Sequence, residues 1–81
     1  MPIEYKIFPD PAIGEITITE HSQYNQIKAE KVVIHNNITA RLYGNVKDIN
    51  LKEGSLLYMH GHITGNVQNE GGEIHIFDHG K

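Results

Sequence analysis

The chain has 81 residues, a formal net charge of -3 with neutral histidines, 38% apolar and 21% charged residues, and no cysteine. This composition is typical of one small folded domain, and it excludes disulfides, thiolate metal sites and a cysteine nucleophile. The lysines and the arginine form no cluster, which argues against a nucleic-acid partner. A chain of this size buries too little surface to be comfortably stable alone, so some outside support is expected.

The N-terminal residues alternate in character. Ile3, Tyr5 and Ile7 are separated by charged residues, and Pro9 follows shortly after them. This pattern predicts a short strand that ends at the proline. The interspersed charges make neither a signal peptide nor a membrane span, so a cytoplasmic protein is expected.

From residue 15 onward, apolar residues recur as pairs two positions apart. Such pairs stack upon one another if each circuit of the chain takes about 16 to 25 residues, a period typical of solenoid repeats. The pairs are Ile16/Ile18, Val32/Ile34, Ile49/Leu51 and Ile74/Ile76.

The most regular signal is one pattern that occurs over residues 38–46 and again over residues 59–67, at a spacing of 21 residues. Within each copy a small or apolar residue occupies every second position, which is typical of a strand with one face in a core. Stacked coils would place glycine above glycine at a tight corner. The residues predicted to repeat structurally are Gly44, Asn45, Val46, Gly65, Asn66 and Val67.

These signals predict a single all-β domain, a short β-solenoid of about three circuits. Residues 1–22 form an N-terminal strand that caps the solenoid, residues 23–77 form the stacked repeats, and residues 78–81 form a tail. A β-sandwich is disfavoured because the chain contains no Asn-Gly or Asp-Gly pair to mark hairpin turns.

The run from residue 52 to residue 67 resembles the repeat of the bactofilins, which are bacterial cytoskeletal proteins, and residues 28–35 resemble their recurring Ala-x-x-Val-x-Ile strand. The resemblance covers roughly residues 27–76. It implies a right-handed β-helix that polymerises end to end without nucleotide. The chain departs from the family in having few coils and an irregular first segment.

Six histidines are unusual for a chain of this length. His60 and His62 lie two residues apart on one predicted strand, and His75 lies on a strand that would stack near them. Three converging imidazoles would suit zinc or another divalent ion. The alternative is that these positions are simply polar because they face outward.

A second group of outward residues combines aromatic and cationic side chains. Tyr43 and Tyr58 are predicted on the outside or at corners, with Arg41 on the face of Tyr43. Such a group marks either a partner surface or a stack between coils with no partner. The sequence favours neither reading.

The expected function is that of a structural module that self-associates into a homo-oligomer, because a short solenoid has two open ends that must be capped or paired. No catalytic motif is present, so an enzyme is not expected, and no cofactor is expected apart from the divalent ion considered above. The alternative is a small metal- or ligand-binding protein with a histidine-lined site at a subunit interface. The residues predicted to mediate self-association are Ile3, Tyr5, Ile7 and Phe8.

Overall fold

The computed structural model of the protein describes residues 4–77, and that part of the chain contains strands and turns but no helix. The predicted all-β class is therefore confirmed. The predicted tail, residues 78–81, lies outside the described residues. The strands are β1 (Lys6–Phe8), β2 (Ala12–Ile18), β3 (Ser22–Ile34), β4 (Thr39–Leu51), β5 (Leu56–Ile63), β6 (Val67–Asn69) and β7 (Glu73–Phe77).

The strands wind into a β-solenoid in which each coil pairs in parallel with the next. β1 and β2 both pair with β3, β3 pairs with β4, β4 pairs with β5 and β6, and β5 pairs with β7. The solenoid has about four turns rather than the expected three. The difference arises because the segment assigned to a cap supplies β1 and β2, which stack on β3 as a coil of their own.

The core consists of columns of inward side chains. Tyr24, Leu42 and Met59 form one column, and Val32 and Ile49 belong to another. Leu42, Met59 and Val32 are all 0% exposed. Each such side chain, once buried, contributes about 1.5 to 3 kcal/mol to folding. The chain therefore gains its stability from aliphatic residues that repeat once per coil.

The predicted ladder of apolar pairs is confirmed for three of its four members. Ile16 lies beside Val32, which lies beside Ile49. The second residues of these pairs stack in the same way, in the order Ile18, Ile34 and Leu51. The fourth pair belongs to another column, because Ile74 and Ile76 lie beside Leu57 and Met59.

The register predicted from the repeated pattern is wrong. Gly44 pairs with Gly61 instead of Gly65, and Val46 pairs with Ile63 instead of Val67. The observed and predicted partners differ by four positions, which is twice the two-residue period of a strand, so both registers keep the same side chains inside. Alternation alone does not distinguish them.

The other residues that were predicted to stack across the two copies of the pattern therefore have different neighbours. Asn45 pairs with His62, and Val67 pairs with Ile49. Gly65 and Asn66 precede β6, where the Gly65 N–H donates to the Lys47 carbonyl at 2.7 Å and the Asn66 N–H donates to Asp48 Oδ1 at 3.0 Å. These two residues form a turn held by the coil below.

A tight corner does require glycine in successive coils, as predicted, but the pair is Gly44 and Gly61. Both have positive φ angles, 142° and 143°. A Cβ on Gly44 would lie 2.2 Å from the Ile27 carbonyl oxygen, and a Cβ on Gly61 would lie 1.9 Å from the Gly44 carbonyl oxygen. The coils stack here only because neither residue has a side chain.

The buried serines lie at coil corners and donate to nearby carbonyls. Ser22 Oγ donates to the Glu20 carbonyl at 2.7 Å, and Ser55 Oγ donates to the Lys52 carbonyl at 2.6 Å. Because a buried hydroxyl without a partner is costly, these bonds explain how polar residues are tolerated at 2% exposure.

Gly61→Ala tests the corner. We expect it to lower the free energy of unfolding by about 3 kcal/mol, because an L-residue is strained at this φ and the new methyl group pushes two coils apart. Gly14→Ala is the matched control: Gly14 has a φ of 87° but open space around its Cβ position. It should lose only about 1 kcal/mol in the same urea titration. Equal losses would contradict the close-approach argument.

Ionisation of Tyr24 is expected to lower the free energy of unfolding at alkaline pH. Burial, and secondarily the charge of Glu20, raise the pKa of the Tyr24 phenol. The neutral phenol is favoured in the folded state, so its stabilisation is complete below the ordinary tyrosine pKa and is lost as pH rises through the raised value. Tyr24→Phe keeps the ring stacked on Phe8 but cannot ionise. Its free energy of unfolding should fall less than that of the wild type between about pH 9 and pH 11. Parallel curves would contradict this assignment.

Candidate functional site

Outward side chains of β4, β5 and β7 form one wall of the solenoid. This wall carries two columns of aromatic and cationic side chains. In one column Arg41, Tyr58 and His75 lie side by side on β4, β5 and β7. In the other, Tyr43 lies beside His60, which lies beside Phe77. We call this wall the aromatic–arginine face, and its members are Tyr5, Arg41, Tyr43, Tyr58, His60, His75 and Phe77.

The rings of the face stack along the solenoid. Tyr43 and His60 have ring centroids 4.4 Å apart at an interplanar angle of 6°, and His60 and Phe77 are 4.7 Å apart at 15°. Tyr58 and His75 are 5.5 Å apart. Stacked pairs of this kind are worth about 0.5 to 1.5 kcal/mol beyond the area they bury. The stack between coils that the sequence allowed is therefore present.

Arg41 lies between two aromatic rings. The central carbon of its guanidinium group is 5.2 Å from the ring centroid of Tyr5 and 5.5 Å from that of Tyr58. A hydrogen bond with Tyr5, followed by smaller contributions that include Tyr43, raises the pKa of Arg41 against the opposing effect of desolvation. Its Nε is buried without a hydrogen-bond partner among the described residues. The face thus keeps one permanent positive charge in a fixed orientation.

The predicted metal site is not formed by the described residues, because nowhere in residues 4–77 do three His, Asp or Glu side chains lie where they could hold an ion. His60, His62 and His75 occupy three different columns. The ring of His60 is stacked between two aromatic rings, and His75 is hydrogen-bonded to Glu73. These rings therefore do not converge on a common point, although His60 and His75 lie on neighbouring strands.

The described residues that were predicted to mediate self-association do not form one surface. Ile3 lies outside the described residues. Ile7 is 49% exposed, and Tyr5 contacts Arg41. Phe8 instead packs against the core, where its ring stacks on Tyr24 at 4.4 Å. Of these residues, Ile7 is the one that presents a largely uncovered aliphatic side chain.

Further apolar residues near the ends of the solenoid are exposed, although none of them was predicted to mediate self-association. Ile13, near the N-terminal end, is 73% exposed. At the C-terminal end Val67, Ile76 and Phe77 are 42%, 54% and 41% exposed. Ile76 continues the core column of Leu42 and Met59, and no described coil lies above it. Ile76 is therefore at a core position, but no described side chain covers it from the next coil.

The two columns of the aromatic–arginine face follow the same sequence interval as Gly44 and Gly61, so this interval could have predicted them. Arg41, Tyr58 and His75 follow one another at this interval, as do Tyr43, His60 and Phe77. The spacing was masked by the two Gly-Asn-Val triplets, which match at a longer interval although they occupy different corners.

Comparison of the chain with protein-family models, with curated proteins and with solved structures gives no match. Across residues 4–77 there is no helix long and apolar enough to cross a membrane.

Titration with Zn²⁺, followed by calorimetry, tests the absence of a histidine site from the described residues. We expect no stoichiometric uptake, because the imidazoles of His60 and His75 are held by ring stacking and are not directed at a common point. His62→Ala serves as the comparison. Uptake of one equivalent that disappears in this variant would show that a site forms after all.

Proposed function

We propose that the protein is a structural module that self-associates through the open ends of its solenoid. The observation that carries this proposal is the C-terminal end, where Val67 and Ile76 continue core columns and yet are 42% and 54% exposed. Large apolar side chains grouped at one end of a small chain favour burial against a partner. At the other end β1 and β2 form the first coil, but their exposed residues Ile7 and Ile13 belong to outward columns, beside Gln23 and Lys28.

The backbone supports the same proposal. Within residues 4–77, β6 pairs only with β4 and β7 pairs only with β5, so each has one free edge. β1 and β2 likewise pair only with β3. Free edges present unpaired N–H and C=O groups that readily pair with another chain. A second copy that covers an end would satisfy these groups and bury the apolar residues together.

The size of an end is sufficient for a specific interface. The protein measures 32 × 25 × 25 Å. Covering one end on each of two copies removes on the order of 1,000 Å² of surface in total, near the lower limit of specific complexes. This burial would also add the outside support that is expected for a chain of 81 residues.

The likeness to the bactofilin repeat agrees with this proposal, because that family assembles from short β-helices stacked end to end. The proposal does not depend on that likeness. It rests on the exposed residues and strand edges of this chain, and it assigns the protein a scaffolding role rather than a catalytic one.

Ile76→Glu tests the proposed interface. We expect the wild type to elute as an oligomer at micromolar concentration in size-exclusion chromatography with light scattering. The variant should dissociate at least about tenfold more readily, because the interface would have to bury an unpaired carboxylate. Asn45→Glu is the matched control, since it adds the same charge at an exposed position that pairs with Lys28 and His62 along the outer wall.

The control should elute like the wild type. A wild-type monomer at these concentrations would contradict self-association. Equal dissociation of both variants would show that net charge, and not the C-terminal end, controls assembly. Circular dichroism establishes that each variant is folded.

A further inference from the structure

We propose that the aromatic–arginine face binds a carboxylate presented by an acidic segment of a partner protein. This surface lies along the wall of the solenoid, and the proposal is independent of the association of its ends. It stands on three features of the face, which are the uncompensated charge of Arg41, the rigid orientation of that charge, and the apolar rings beside it.

The charge of Arg41 is not neutralised by the described part of the chain. Arg41 is the single arginine of the sequence, and it forms no ion pair within residues 4–77. Two lysines behave differently, because Lys6 pairs with Glu20 and Lys52 pairs with Glu70, each at 3.5 Å. A cation held among aromatic rings without a carboxylate is available to an anion from outside.

The guanidinium group is also held in place before a ligand arrives. The rings of Tyr5 and Tyr58 confine it at 5.2 and 5.5 Å. An arginine loses less conformational entropy on binding when its side chain is already ordered. Guanidinium carries five N–H donors in a planar fork that matches the two oxygens of a carboxylate. Because Nε is buried, a ligand would have to bind the terminal nitrogens, which also serve the hydrogen bond with Tyr5.

The surroundings favour a carboxylate over phosphate or a polyanion. No lysine belongs to the face, so a doubly charged group would find a single permanent cation there. The net charge of -3 repels a polyanion as a whole. Of the carboxylates near the face, that of Glu73 is hydrogen-bonded to His75 and that of Glu20 is paired with Lys6, whereas Glu4 lies next to Tyr5. One acidic side chain therefore meets an available cation.

The rings indicate that the carboxylate belongs to a protein segment. Tyr43, His60 and Phe77 form a continuous stack beside Arg41. Tyrosine and arginine are among the residues most enriched where binding energy concentrates in protein interfaces. A partner segment with an apolar or aromatic residue next to its acidic residue would contact both columns of the face at once.

The Nε–H signal of the single arginine makes the test direct, because one resonance in a ¹⁵N spectrum reports on Arg41 alone. The probe is an acetylated, amidated Glu-Tyr-Glu-Tyr peptide, and the matched peptide has glutamine in place of glutamate. We expect the glutamate peptide to shift the Arg41 signal in a saturable manner, with an affinity about tenfold higher than the glutamine peptide. Added salt should weaken the shift.

Arg41→Gln and Lys28→Gln form the second arm, followed through the tyrosine ring signals. Arg41→Gln should reduce the affinity for the glutamate peptide to that of the glutamine peptide, whereas Lys28→Gln, which changes an exposed lysine outside the face, should leave it unchanged. The wild-type arm with two peptides decides the question even if Arg41→Gln fails to fold.

Several outcomes would overturn the proposal. Equal binding of the two peptides, or no shift with either, would show that the face does not recognise a carboxylate. A shift produced by inorganic phosphate at equal or lower concentration would assign the site to a free anion. A shift that appears on raising the protein concentration without peptide would show that a second copy covers the face.

Discussion

The close approach of Gly44 and Gly61 at one corner of the solenoid is the contact on which the rest of the structure depends. The carbonyl oxygen of Gly44 occupies the place where a side chain of Gly61 would lie, at 1.9 Å from the Cβ position. The corner therefore specifies which residue of β5 stacks on which residue of β4. Because both strands continue on either side of the corner, the step from Gly44 to Gly61 is repeated by every pair between them.

This step determines both the inside and the outside of the wall. On the inside it places Met59 beside Leu42, so that the core is built from complete columns. On the outside it places His60 beside Tyr43, so that the rings stack. The aromatic–arginine face and the core are thus two consequences of one register. The apolar ends follow as well, since a column such as that of Ile76 stops where the described coils stop.

Much of the fold was predictable, whereas little of the candidate site was. Alternation correctly identified Val32, Ile34 and Ile49 as inward residues, and the all-β solenoid class followed from it. The grouping of His60 with His62 and His75 failed, because the three lie in different columns, where His60 stacks on Tyr43 and His75 stacks on Tyr58. Arg41, Tyr43 and Tyr58 were noted as a candidate partner surface, but the pairing of Arg41 with Tyr58 and of Tyr43 with His60 was not predicted.

The sequence by itself determined that the chain forms strands, which side chains face inward, and that a corner needs glycine. Only the tertiary structure decided that Gly44 stacks on Gly61, that β1 and β2 supply a coil of their own, and that Arg41 lies between the rings of Tyr5 and Tyr58. The physical reason lies in the period of a strand. A pattern that alternates at every second position is unchanged by any even shift, so it specifies the inside of a coil without specifying its neighbour. That choice is made by contacts between coils, among them the close approach of the Gly44 carbonyl oxygen to Gly61.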